Sequence, residues 1–269
     1  MRICNALKWH LSPRPSMRFS ASLFLAFFLP IAGHAQDYAR EKRLADEVVP
    51  GLVVGDAVML KAASGREFLG IFTEGKRDLP ALVIVHGIGV HPDHGVIGQL
   101  RILLSEKGYA TLSIQMPVLE KDKRAGDYYP ALFPEAAARI DHAAQWLKAR
   151  GILRMVLVSH SLGSWMANVF LDRSESSPFS AWVCTGLTGG FQTRMLGIDW
   201  PMLRIHLPIL DVYGENDLAP TVEAAGRRAR SLEGIPGARQ VRIAGADHFY
   251  AGKEKELAAS IAVFLEEIR

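Results

Sequence analysis

Short, predominantly apolar runs recur along the chain at residues 81–85, 110–115, 155–159, 181–185, 209–213 and 240–244. Continuous runs of this length suit strands covered on both faces, whereas a half-exposed strand would alternate. Most of the intervals between them have helical spacing. Ile140, Ala143, Ala144 and Leu147 share one helix face, Arg139, His142 and Lys148 lie on others, and Gly151 follows as a stop signal. Leu257, Ile261, Phe264 and Ile268 form a second stripe near the C-terminus. Strand and helix alternating in this way imply an α/β fold, a mostly parallel sheet with helices on both faces. Residues 53–60 and 67–73 read as an additional strand pair around Ser64-Gly65, which brings the expected sheet to about eight strands. The chain has 269 residues and is 49% hydrophobic, enough to bury one large core. Residues 50–269 contain no internal repeat and no linker, so they are expected to form a single domain.

The first 35 residues differ from the rest. They contain Arg2, Lys8, Arg14 and Arg18, no acidic residue, and then an apolar run from Ala21 to Ala32. Gly33-His34-Ala35 places small residues three and one before Gln36, so the segment is expected to be a secretory signal peptide cut after Ala35. Met17 is a second candidate start that keeps Arg18 and the run intact. An uncut anchor fits less well, because the 12-residue run contains Pro30 and a spanning helix needs about 20 apolar residues. The expected product is exported, periplasmic or secreted, with no stable membrane anchor after cleavage. Residues 36–49, charged from Asp37 to Glu47, read as a linker or short helix.

Loss of the four leader cations turns the formal charge from +3 to −1, so no basic nucleic-acid footprint remains. Cys4 lies in the leader and leaves Cys184 alone, which excludes an intrachain disulfide in the mature chain. Cys184 falls inside an apolar run with no activating neighbour and is expected to be a buried strand residue.

Chemistry-bearing residues collect where strands end, as they do in open α/β sheets. Ser159-His160-Ser161-Leu162-Gly163 joins a predicted strand to a helix carrying Leu162, Met166 and Val169, the context of a nucleophile elbow. Gly163 supplies one small residue the tight turn needs, and Ser159 stands where glycine is usual. Tyr213-Gly214-Glu215-Asn216-Asp217 follows the strand at 209–213, and Asp217 is the first candidate to orient an imidazole, ahead of Glu215 and Asp211. Gly245-Ala246-Asp247-His248-Phe249 follows the last strand and offers His248 as general base. Each segment alone has a structural explanation: a helix cap, a turn acid, a loop histidine. Together they run in the order Ser161, Asp217, His248, one of the few known triad orders.

The segment from His86 to Asp93, with Gly87 and Gly89, lets a backbone approach a substrate closely. By position, the N–H groups of Leu162 and Ile88 are the candidate oxyanion donors, with Gly89 behind Ile88. His86, His91 and His94 with Asp93 also invite a metal reading. It ranks lower, since such a site needs convergent geometry and this loop already has a use. Asp93 could instead cap the next helix while the histidines brace the loop. No metal or cofactor is expected.

From about Val53 onward these motifs resemble the α/β-hydrolase superfamily. The residues that carry the likeness are His86-Gly-x-Gly, Ser-His-Ser161-Leu-Gly, Gly214-x-x-Asp217 and Asp247-His248. His91-Pro92-Asp93 and Gln115-Met116-Pro117 further resemble a group of exported bacterial α/β-hydrolase-like proteins of unassigned function. The resemblance implies an eight-stranded sheet with an antiparallel edge, Ser161 as nucleophile, His248 as base and Asp217 as its partner. It also implies a serine hydrolase, but no substrate. A small ester or acyl compound is the expected partner, on the ground that an apolar cleft wall would fit a modest acyl or alcohol group. A non-catalytic binding or assembly protein on the same fold, or an acyltransferase using the same triad, is the alternative. Residues 186–208 are too few for a large cap domain. Two segments are candidate cleft walls: 117–134, with Lys121, Lys123, Arg124, Tyr128, Tyr129 and Phe133, and the stretch bearing Met195, Trp200 and Met202. Ordinary packing is the favoured role for their apolar side chains.

Overall fold

The structure, a computed structural model, describes residues 36–62, 65–121, 123–124, 132–173, 176–189, 202 and 204–268. The expected signal peptide lies outside these residues, as do Ser64, Tyr128, Tyr129, Met195 and Trp200. A first helix, α1 (Tyr38–Val48), starts where Asp37 accepts the N–H of Arg40 at 2.8 Å, and a 3-10 turn (Val49–Gly51) closes it. There follow β1 (Asp56–Lys61), β2 (Glu67–Thr73), β3 (Ala81–Val85), α2 (Gly95–Glu106), β4 (Thr111–Ile114) and α3 (Phe133–Lys148). The remainder comprises β5 (Met155–His160), α4 (Leu162–Arg173), β6 (Ala181–Thr185), β7 (Ile209–Asn216), α5 (Ala219–Ser231), β8 (Arg239–Asp247) and α6 (Glu254–Glu267).

The eight strands form one sheet in the order β1-β2-β4-β3-β5-β6-β7-β8. β1, β2 and β4 pair antiparallel, and every pairing from β4 onward is parallel. This is the expected eight-stranded, mostly parallel α/β sheet with an antiparallel edge. β3, β5 and β6 are buried along their whole length, which explains why they read as unbroken apolar runs. Alternate residues of β3 face opposite layers. Val83 and Val85 pack with Ala143 and Leu147 of α3 and Trp165 of α4, while Leu82 and Ile84 pack with Leu100 of α2 and Ile261 of α6.

Three boundaries depart from the pattern reading. β1 begins at Asp56, not at residue 53, because Gly55 takes a φ of +79° and turns the chain before the strand starts. β7 and β8 run past their apolar stretches, since an irregularity between Gly214 and Asn216 lets Asn216 pair with Asp247. Asp93 does not cap α2. His94 holds the cap position, and the Asp93 carboxylate instead accepts the Nε–H of Arg101 at 2.6 Å, an ion pair that ties the loop to the helix.

Buried charges fasten the layers. Arg139 on α3 reaches Glu41 on α1 and Glu135, each at 3.0 Å, and donates to the Gln115 carbonyl at 2.9 Å. Arg228 on α5 meets Asp211 on β7 at 2.8 Å with both side chains fully enclosed.

Candidate active site

The strand order reverses around β3, whose neighbours β4 and β5 are reached by connections running in opposite directions. A crevice forms beyond the carboxyl ends of strands at such a point. The end of β3 leads into the His86 loop and the end of β5 into Ser161.

Ser161 has a φ of +54°, a left-handed conformation that a non-glycine residue adopts only under constraint. Its N–H donates to the Thr185 carbonyl at 2.9 Å, which ties the turn to β6. The turn can close because Gly163 has no side chain: a Cβ there would stand 2.4 Å from the His86 carbonyl oxygen. At Ser159 the hydroxyl is buried and useful. It accepts the indole N–H of Trp182 at 2.9 Å and lies 3.1 Å from Ser164 Oγ. The turn therefore tolerates serine in place of glycine on that side.

The structure brings Ser161, His248 and Asp217 into a single hydrogen-bonded line. His248 Nε2 is 2.9 Å from Ser161 Oγ, and its Nδ1 is 2.6 Å from Asp217 Oδ1. Asp217 also accepts the N–H groups of Leu218 at 2.7 Å and Gly214 at 3.3 Å. Burial pushes the Asp217 carboxyl up, but the His248 hydrogen bond and charge, with these two amides, outweigh it and hold the group below its ordinary range. The rival acids are occupied elsewhere. Asp211 pairs with Arg228 and accepts from Gln240 at 2.7 Å, and Glu215 accepts the Gly245 N–H at 2.9 Å. Cys184 is a buried residue of β6, and burial together with nearby Asp211 raises its thiol well above the usual range.

The backbone of the His86 loop borders the serine, since a Cβ on Gly87 would stand 3.2 Å from Ser161 Cβ. His86 is fully enclosed. Its Nε2 accepts the Met116 N–H at 2.8 Å, so the ring proton sits on Nδ1 and donates to the Gly87 carbonyl at 2.8 Å. Burial lowers its pKa to about 3, which keeps the ring neutral. In a trans peptide the carbonyl and the following N–H point in opposite directions. Holding the Gly87 carbonyl back therefore turns the Ile88 N–H the other way. Leu162 opens α4, and the first amides of a helix have no partner within it. Both candidate donors line a common cavity with Ser161.

With both ring nitrogens of His86 on backbone groups and His91 Nδ1 accepting the Asp93 N–H at 3.3 Å, the loop histidines brace the chain. Among the described residues no group of three or more metal-ligating side chains converges.

His160 is the neighbour that pattern reading did not single out. It is buried, with its ring centroid 4.9 Å from that of His248. Thr185 Oγ1 donates to the Ser159 carbonyl at 3.1 Å and accepts from His160 Nδ1 at 2.9 Å. Burial and the neighbouring His248 lower its pKa to about 3. Its sequence signal was only adjacency to Ser161.

The cavity encloses about 310 Å³ and is walled by Ile88, Val90, Val96, Ile97, Trp165, Leu218 and Phe249. Among the described residues, the only titratable side chains on its wall are His94, His160 and His248. Two larger clefts, of about 620 and 610 Å³, lie against α1 and beside Arg150–Arg154, away from Ser161. Of the other wall candidates, Phe133 and Met202 are packed in the core, and Lys121, Lys123 and Arg124 do not border the cavity.

No family profile and no curated protein matches the chain. Solved structures do. A dienelactone hydrolase from Anabaena variabilis superposes with a TM-score of 0.64 at 19% identity, over 79% of this chain and 97% of its own. Est1E from Butyrivibrio proteoclasticus, with ferulic acid bound, gives 0.63 at 16% identity, over 78% and 98%. XC6422 from Xanthomonas campestris, described as an α/β serine hydrolase without a lid, gives 0.59 at 15% identity, over 80% and 95%. At these identities the likeness establishes the fold. The chain has the α/β-hydrolase fold, without a large cap between β6 and β7.

Proposed function

We propose that the chain is a serine hydrolase that cleaves uncharged carboxylic esters of modest size through an acyl-enzyme on Ser161. The observation that carries this reading is the line Asp217–His248–Ser161, at 2.6 and 2.9 Å, opening on a cavity beside two backbone amides. His248 takes the proton as Ser161 Oγ attacks the acyl carbon. Asp217 keeps the imidazole in the tautomer with its proton on Nδ1 and stabilises the imidazolium that forms. The developing oxyanion meets the N–H groups of Leu162 and Ile88, with the N-terminus of α4 adding its dipole. His248 then returns the proton to the leaving alcohol, and water repeats the sequence in reverse to release the acid.

Two features support an uncharged, compact substrate. Among the described residues, the wall carries no Lys, Arg, Asp or Glu to pair with a charged acyl group, and burying a charge unpaired is costly. Its volume lies near the lower end of the ~300–1,000 Å³ common for ligand pockets. A ferulic acid complex of a neighbour with this fold is in keeping with a small acyl compound. We also propose that the protein is exported, with residues 1–35 as its cleaved leader.

A fluorophosphonate probe tests the reading. Wild-type protein is expected to be labelled, and Ser161→Ala and His248→Ala variants are not. Folded wild-type protein that takes no label and hydrolyses no ester in a panel of rising acyl length would overturn it.

A further inference from the structure

The loop beside Ser161 is held from a direction that the triad does not use. Arg40, on the first turn of α1, sends its guanidinium across to two main-chain oxygens: Nη2 donates to the Gly89 carbonyl at 2.7 Å, and Nη1 donates to the Leu119 carbonyl. Gly89 has a φ of +68° and shares its turn with Ile88, the candidate oxyanion donor. The neighbouring carbonyls are tied as well, Gly87 by His86 at 2.8 Å and Val90 by Gln115 Nε2 at 3.1 Å. Each tie holds one peptide plane, and in a trans peptide it also aims the following N–H. The Gly87 tie sets the Ile88 N–H, but that plane is joined through the Ile88–Gly89 peptide to the Gly89–Val90 peptide, which only Arg40 restrains through its carbonyl among the side-chain contacts described. A glycine at this hinge has wide conformational freedom, so an external clamp has something to restrict.

We infer that Arg40 is a positioning residue for the oxyanion loop: the helix that opens the described chain holds the Ile88 N–H in its working direction through the Gly89 carbonyl. This rests on the acyl-enzyme reading of the Ser161 site. α1 has other anchors, so the clamp is separable from the helix. Glu41 stays paired with Arg139 at 3.0 Å, and the Asp37 N–H stays on the Val118 carbonyl at 2.8 Å. The fork also matters, because two carbonyls are reached at once. Lysine carries the charge on a single nitrogen and lacks that planar fork.

The test uses the purified wild-type protein with Arg40→Met and Arg40→Lys, and with Arg43→Met as the control on an exposed position of the same helix. Two quantities are read: hydrogen exchange at the amides of residues 87–90, and kcat separately from KM on a short-chain ester. In Arg40→Met, exchange in the loop is expected to quicken. kcat should fall about tenfold to a hundredfold, below the ~10²–10³ that removal of a whole donor costs, with KM within about twofold. Arg40→Lys should fall between, and Arg43→Met should match wild type. Unchanged loop exchange in Arg40→Met would overturn the inference. So would faster exchange with unchanged kcat, or a loss that appears in KM and across all of α1. If the wild-type protein hydrolyses nothing, the esterase reading fails instead, and the exchange measurement still decides whether Arg40 holds the loop.

Discussion

The imidazoles of His160 and His248 lie 4.9 Å apart, tilted by 41°, yet their nitrogens serve different ends. His248 Nε2 faces Ser161 Oγ, whereas His160 Nδ1 is bound to Thr185 Oγ1. A second charged ring at that distance would oppose the imidazolium that His248 would become in the proposed acyl transfer. Burial prevents this by holding the pKa of His160 at about 3.

One consequence concerns the pH profile. With His160 neutral across the working range, the acid limb of kcat/KM should fall with the slope of a single proton. His160→Gln should keep that one-proton slope even if the rate drops. A two-proton limb in wild type that becomes one-proton in the variant would show that His160 titrates with its neighbour.

A second consequence concerns stability. His86 and His160 both have folded-state pKa values of about 3 against an ordinary 6.5. Between those values the unfolded chain binds more protons, so stability rises with pH there. The contribution is fully present above about pH 6.5 and is lost as pH falls toward 3, by about 1.4 kcal/mol per pH unit for each histidine. Urea unfolding at a series of pH values should show this slope, and His160→Gln should lessen it by one proton. An equal slope in the variant would contradict the assignment.

The order of chemistry-bearing residues was legible because each lies immediately after an apolar run that could only be an interior strand. The long-range contacts were not legible. Glu41 and Arg139 pair across 98 residues, and Arg40 reaches Gly89 across 49, distances at which periodicity carries no information. Asp93 shows the limit of local rules. It sits where a helix cap is expected, yet an arginine eight residues on captures it, since that ion pair is shielded within the fold. The positive φ of Ser161 was foreshadowed by the small residues around it. The role of Ser159 as a partner for Trp182 was not, because it depends on a strand that arrives 23 residues later.

Asp217 and Asp211 are separable by experiment. Asp217→Asn should lower kcat by roughly 10³–10⁴, because the imidazole loses the partner that fixes its tautomer, while the melting temperature moves little. Asp211→Ala leaves the fully enclosed Arg228 unpaired and should cost about 3–5 kcal/mol of stability. Paired kinetic and thermal measurements on both variants check this. The opposite pattern would mean that the orienting acid is Asp211.

Gly186 sets the depth at which His248 can sit. Its φ is +60°, and a Cβ there would stand 3.0 Å from His248 Cε1 and 3.1 Å from Nδ1. The glycine cannot retreat, because its N–H is bonded to the Val212 carbonyl at 2.9 Å, so the imidazole must shift by a few tenths of an ångström. Displacement of about 1 Å can cost ~10² in rate, so Gly186→Ala should lose about tenfold in kcat. It should also lose ~1–2 kcal/mol of stability to left-handed strain. Gly151→Ala separates the two effects. Gly151 has a φ of +78° and nothing within 4 Å of its would-be Cβ, so it carries the strain without the contact. That variant should destabilise by a similar amount and leave kcat at the wild-type value. If both alanines lower kcat equally, the loss at Gly186 comes from strain in the fold and not from the position of His248.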